Sequence, residues 1–529
     1  MQTANYSFIV KSLIPGIFGI LIGFQEIGGS TPELNWEKGF GGKNKDYVRD
    51  MVRTENGYLI TGSTENPEEE FKFDQGVAVW KLDHNGNLMW RQTYGGDLDD
   101  AVSSIKRTKD NNYVLAGSTR SSEGDISDNP HAPSFTIWIM KMNDNGDLIW
   151  EETYGGTGRD YGNSVIPHSE NGFIVVGRSR SDDGDVKEKP GIWNGWILHL
   201  NDQGKMKWDT VMGGILRESF RSADTTHDGG FVVGGWTGSN HPHGDQGWLL
   251  KFDQNKNLEW ERIFSEGTKG YSVSVTKDGD YIMTGEHRGD ISNPNPPAFW
   301  AVKLDESGEK LWEKAYGGSQ REAANDVTVT EDNEYVLTGY SKSQDGDISN
   351  PASKENVFYW ALKIDEKGIP LWDISLGGSK TDVPEAITSD GGKGYTLAGD
   401  TRSHNGDVHN NPGDSGKTSG WVANLKYPTA NNLGDSPIKK EGSSEVNIRP
   451  NPFRNNFHLV PSGQFLFQDY SFNLFDARGR TQEVAHQPIP LEGRKGHFLQ
   501  IEAKNLPPGL YKYRLVLNGE VHTGKVVKE

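Results

Sequence analysis

Fourteen of the sixteen tryptophans in this chain fall into two registers that run in step from one end to the other. One register is Trp36, Trp90, Trp150, Trp208, Trp260, Trp312 and Trp372. The other is Trp80, Trp138, Trp196, Trp248, Trp300, Trp360 and Trp421. A glycine keeps the same step at Gly62, Gly117, Gly177, Gly235, Gly285, Gly339 and Gly399, and only Trp193 and Trp236 stand outside the pattern. A period of this size marks arrays or propellers, in which each unit hides its apolar face only against its neighbours.

The unit from Phe299 to Ser349 shows the parts. Trp300 and Trp312 flank a polar turn at Asp305 to Gly308, and Gly317-Gly318 follows, with Glu322 four residues on. Two alternating runs, DVTVT and EYVLTG, are then split by turn residues and closed by the loop SQDGDIS. Alternation of apolar and polar residues predicts strands, four to a repeat. Radial stacking of such sheets buries both faces, so the expected fold is all-β, a seven-bladed β-propeller over residues 34–427. The phase predicts closure. Leu34 to Gly42 reads as a fourth strand with no three before it, and Gly420 to Lys426 as a third with none after it. The first strand is expected to complete the last blade and remove two open edges.

With no cysteine, disulfides, thiol chemistry and Cys-ligated metals are excluded. The 529 residues suffice for more than one domain. Sixty-six glycines and a mean hydropathy of −0.70 suit a turn-rich chain of short strands. The net charge is −19, although residues 445–529 carry +3, so the rest carries −22. Nucleic acid and anionic lipid are discounted as partners on that ground.

The ends of the chain differ in character. Residues 1–25 hold Lys11 and the apolar run LIPGIFGILIGF, too short to span a bilayer and suited to a signal peptide. No later stretch is apolar enough to cross a membrane. Residues 428–444 read as a linker. Residues 445–529 hold the runs FHLV, SFNLFD, FLQIEA and YKYRLVL, which predict a small Ig-like β-sandwich.

Three resemblances attach to these residues. The hairpin Leu82, Asp83, Gly86, Trp90, repeated at Leu304, Asp305, Gly308, Trp312, resembles the tryptophan-docking repeat of quinoprotein-type propellers, though nothing in it argues for a quinone cofactor. The whole repeat is similar to propeller repeats of exported Bacteroidota proteins. RPNPF, FDARGR, LPPGLYKYRL and GKVVKE resemble the C-terminal sorting domain of type IX secretion cargo. That last resemblance implies a sorting motif at Asn451, Pro452, Asp476, Gly479, Gly509, Tyr511, Gly524 and Lys525. It also implies the type IX machinery as partner, cleavage near the linker, and release or attachment at the outer surface of a Gram-negative cell. Asp476 and Gly479 have a plainer reading as hairpin turn residues.

Strand direction places the Gly-Gly loops and the long second-to-third loops on one face, where two acidic motifs converge. The first is Asp46, Asp100, Asp160, Glu218, Glu322 and Asp382, absent only from the fifth repeat. Such a ring could hold a cation, or each acid could cap its own turn, as repetition in nearly every blade suggests. The second is the Gly-Asp loop ending in Asp125, Asp185, Asp245, Asp290, Asp347 and Asp407. Asp183/Asp185 and Asp345/Asp347 form Asp-x-Asp pairs of the kind calcium takes, against an ordinary Asp/Gly turn. His241 and His243 lack an evident third ligand for zinc. Ser415 sits in a GDSG segment without the rest of a serine-protease pattern, and Gly416-Lys417-Thr418 lacks the first glycine of a P-loop. No catalytic residue is assigned. The expected function is a monomeric secreted or surface propeller that binds a glycan or protein on its long-loop face. The alternative is a secreted polysaccharide hydrolase or lyase, an analogy at the level of fold.

Overall fold

The computed structural model describes residues 31–427, apart from short segments at 43–44, 66–74, 169–171, 188–189, 240–243, 289–295 and 414–416, and the strands between 446 and 528. The expected signal peptide and linker lie outside the described residues, as do Asn451, Pro452, Asp476, Gly479, His241, His243, Asp290 and Ser415. No helix among the described residues is long and apolar enough to cross a membrane.

Every described sheet is four-stranded and antiparallel. Six are continuous in the chain, over 46–94, 100–154, 160–212, 218–266, 268–316 and 322–376, numbered here sheets 1 to 6. Sheet 7 takes three strands from 382–426 and its fourth from Glu33–Phe40, which pairs antiparallel with Ser419–Lys426. The N-terminal strand thus completes the last sheet, as the phase predicts.

Seven buried clusters join these sheets, each drawing on two neighbours. One combines Phe40, Ala386 and Val422 of sheet 7 with Val48, Tyr58 and Trp80 of sheet 1, so the last sheet packs on the first and the chain is a β-propeller. The third-strand tryptophans are at most 3% exposed and sit in these clusters. Trp138, Trp196, Trp248, Trp300, Trp360 and Trp421 donate Nε1–H to an acid on the fourth strand, as Trp196 does to Asp209 at 3.1 Å. Sheet 1 departs from the expected register: Ala78 faces Gly62 and Trp80 lies two residues further on, opposite Ile60, whereas in the other six sheets the tryptophan faces the repeat glycine. There Arg91 replaces the acid, with its guanidinium 6.0 Å from the Trp80 ring. Most fourth-strand tryptophans are only half-buried and lie over the next sheet's hairpin turn; Trp150 and Trp312 donate to the carbonyls of Asp202 and Glu366 there.

The C-terminal strands form two further sheets, one from Val446–Arg449, Asn456–Pro461, His497–Glu502 and Ala485–Pro490, the other from Thr481–Gln482, Tyr470–Phe475, Gly509–Leu517 and Glu520–Lys528. Both contribute to one buried cluster that includes Phe457, Leu499, Tyr511 and Leu515. Of the sorting-motif residues, Tyr511 is buried and donates to the Pro507 carbonyl at 2.7 Å. Gly509 lies in the strand that pairs with the one holding Gly524 and Lys525.

Candidate functional site

The acids after the Gly-Gly pairs serve their own loops. Asp100 accepts the Gly96 amide at 2.8 Å, the Thr119 hydroxyl at 2.5 Å and the Ser121 hydroxyl at 3.1 Å. Asp46, Asp160, Glu218, Glu322 and Asp382 accept the equivalent amide, and all six are at most 1% exposed. Burial pushes the Asp100 carboxyl up to about 6, and its three donors pull against that rise. Gly95 makes the fit possible. Its φ is +146°, and a Cβ there would stand 2.5 Å from the Asp100 carboxylate. In sheet 5 Thr268 stands at that position without capping the loop amide: it accepts the Gly247 amide of sheet 4's third strand at 2.8 Å and donates to the Ser265 carbonyl at 2.5 Å.

The second acidic motif staples the same loops from outside. Asp185 and Asp347 accept the amides of Gly155 and Gly317 at 3.0 and 2.9 Å. Asp183 and Asp345 accept those of Thr157 and Ser319 at 2.7 and 2.8 Å. Each Asp-x-Asp pair therefore points at backbone donors, the geometry of a structural turn. Among the described residues no group of three or more acids or histidines is disposed to hold a metal ion.

The concavity of the propeller lies elsewhere, on its axis. Each inner strand, for example Asp160–Pro167, carries a β-bulge at the same point of the repeat. The unpaired residues are Arg49, Ser103, Asn163, Arg221, Tyr271, Asn325 and Glu385. All seven line a central cavity of about 810 Å³. A bulge re-aims one side chain, and here it does so seven times toward one axis. The repeat glycine is the other half of this device. At Gly177, a Cβ would lie 1.9 Å from the Tyr161 carbonyl, which the bulge presses against it.

The residue after that glycine changes from sheet to sheet (Ser63, Ser118, Arg178, Trp236, Glu286, Tyr340 and Asp400), and Arg178, Trp236 and Tyr340 line the cavity. These substitutions build an asymmetric mouth over sheets 3 to 6. The Arg178 guanidinium is flanked by the rings of Tyr161 and Trp193, at 4.8 and 4.9 Å. Lys269 Nζ lies 4.7 Å from the Trp236 ring, and Arg221 lies 5.8 Å from the Tyr271 ring. Glu286, with its side chain fully buried, receives Arg288 at 2.7 Å. Burial and then the Glu286 charge push the Tyr271 hydroxyl far above its ordinary value, so it keeps its proton and does not serve as a base. Ile192, Leu216 and Ile215, the last 75% exposed, form an apolar lip beside Trp193.

The remaining charged groups of the channel are paired. Lys106 lies 3.7 Å from Asp50, which, with Asp326 and Asp224, holds its ammonium above the ordinary lysine value against the opposing effect of burial. Its side chain remains 41% exposed. Arg49 sits between Glu385 at 3.5 Å and Asp400 at 3.7 Å. Asp50, Asp224 and Asp326 also accept amides of Ile105, Val275 and Ile387 from the next sheet, and so tie the inner strands together.

Repeat counting overlooks this site because it follows the positions that stay constant. The departures from symmetry gathered at the mouth are substitutions. Two signals do point there: Trp193 and Trp236 outside the tryptophan registers, and the variable residue after each repeat glycine.

No family model and no curated sequence matches the chain. Among solved structures it is similar to a protein of unknown function from Bacteroides caccae, at 13% identity and TM-score 0.34, covering 60% of this chain and 93% of that one. It is also similar to virginiamycin B lyase from Staphylococcus aureus in an inactive form with quinupristin, at 10% identity and TM-score 0.43, covering 73% and 98%. The β-propeller domain of the trilobed protease from Pyrococcus furiosus follows at 8% identity and TM-score 0.38, covering 68% and 91%. With scores of this size the fold assignment rests on the sheets themselves, and no activity is carried across.

Proposed function

We propose that this chain is an extracellular seven-bladed β-propeller that binds a glycan in the mouth of its central channel, on the long-loop face. The observation that carries the reading is the placement of Trp193 and Trp236. Neither belongs to a blade-building register, and both stand half-exposed at the long-loop end, each against a cation. Half-exposed aromatic rings with polar groups around them suit the apolar faces and hydroxyls of sugars. A concave channel of about 810 Å³ is the size of a small-ligand or oligosaccharide site, unlike a flat protein interface. Trp193→Ala and Trp236→Ala should each weaken retention in glycan affinity electrophoresis about tenfold or more without lowering the melting temperature appreciably. Undiminished retention in the double variant would remove the mouth from consideration. Turnover of any retained polysaccharide would replace binding by catalysis.

Export is proposed through the last two sheets, read as an Ig-like sorting sandwich of type IX secretion cargo on the resemblance of its motifs. A chain ending at Tyr427 should then accumulate inside its host, measured by fractionation, whereas the full chain reaches the surface.

A further inference from the structure

We infer that the ligand of the channel mouth is an anionic polysaccharide, held through its carboxylate or sulfate groups by Arg178 and Arg221; the inference rests on reading the mouth as a glycan site. Ion pairing elsewhere in the propeller makes these two arginines conspicuous. The third-strand lysines Lys81, Lys141, Lys251, Lys303 and Lys363 each meet an acid within 3.0 Å. Arg49, Arg53, Lys106 and Lys269, which also line the channel, each face a carboxylate within 4.0 Å. Among the described residues the Arg178 and Arg221 guanidinium groups have none, and neither group makes a hydrogen bond, although the chain holds 74 acids. Arg178 Nε is buried without a partner. Burial, and then the like charge of Arg221, hold the Arg178 guanidinium below its ordinary value. Two adjacent cations that no carboxylate contacts leave their donors open to an arriving anion.

The geometry prepares that arrival. The rings of Tyr161 and Trp193 fix the plane of the Arg178 fork, so a bound carboxylate or sulfate meets donors already oriented. Bulk charge offers no rival explanation: a chain of net charge −19 repels polyanions, so any capture must be local. The mouth also continues outward. Phe135 stands 5.1 Å from Tyr161 and lines a second hollow of about 510 Å³ with Arg120 and Arg159. Arg120 there is already paired with Asp99 at 2.9 Å, so the second station offers Arg159 to a ligand with charge repeated along its length.

The full-length chain would be titrated calorimetrically with dextran, dextran sulfate, galactan and polygalacturonate, and with poly-glutamate. The expected result is binding of one or both anionic polysaccharides in preference to their neutral counterparts, the preferred one identifying the charged group. Arg178→Gln and Arg221→Gln should each weaken that binding about tenfold, while Lys109→Gln on the opposite face leaves it unchanged. Should Arg178→Gln fail to fold, the exposed Arg221 carries the test. Equal binding of neutral and charged polymers, unmoved by either substitution, would overturn the inference and leave the glycan reading standing. Binding of poly-glutamate alone, or of no polymer, would overturn both.

Discussion

Asp400 occupies the register that holds a serine in sheets 1 and 2, and it brings a titration with it. Burial pushes its carboxyl up to about 7; Arg49 opposes the rise and Glu385 adds to it. The folded state therefore holds a proton there that the unfolded chain releases near pH 4. The resulting stabilisation is complete below that value and is lost as pH rises through about 7. Asp400→Asn should remove this loss while keeping an acceptor for the Val48 amide, which Asp400 now receives at 2.7 Å. Relative to the parent, the variant should gain on the order of 2 kcal/mol between pH 5 and pH 8. Urea unfolding at both pH values measures the difference; a gap that does not grow with pH would show that Asp400 titrates normally. At this scale the sequence was legible wherever a residue repeats. The six Gly-Gly acids and their capping role could be argued from spacing alone. Arg178 could not, because its meaning depends on rings from two other segments and on the absence of an acid that only the fold could have supplied.

Each inner strand combines a bulge with a facing glycine, and the two are one device. The bulge turns its extra residue toward the axis, and the glycine accepts the displaced carbonyl. Gly177→Ala would force a Cβ to within 1.9 Å of the Tyr161 carbonyl, so strand or bulge must move. A loss of about 2–4 kcal/mol is expected, by denaturant titration, together with weaker ligand retention, since Asn163 and Arg178 flank the strained pair. A variant as stable as the parent, with unchanged binding, would separate glycine from bulge. The strand runs two residues past Gly177, and the glycine register was visible in the sequence as a position repeated in every unit. Its partnership with a bulge was not, because hydrophobic alternation reports which face is buried and says little about one unpaired residue.

Across the whole molecule, the strand Glu33–Phe40 closes the ring by covering the edge of sheet 7 and packing Phe40 against Trp80, with ring centroids 5.0 Å apart. Removing residues 31–40 should expose that edge and leave sheets 7 and 1 poorly joined. Calorimetry is expected to show a melting temperature lower by about 10 °C or more and a broader transition. An unchanged melting curve would mean that the first strand is dispensable to the ring. What the sequence determined by itself was the periodic part: strand order, the tryptophan packing between sheets, the Gly-Gly turns and the offset that sends the first strand to the last sheet. Those features repeat because every sheet faces the same packing problem, and repetition is readable along a line. Only the tertiary structure decided which variable positions meet. Arg178, Arg221, Trp193 and Trp236 come from separate strands and loops, and they become one site because closure wraps sheets 3 and 4 around a common axis.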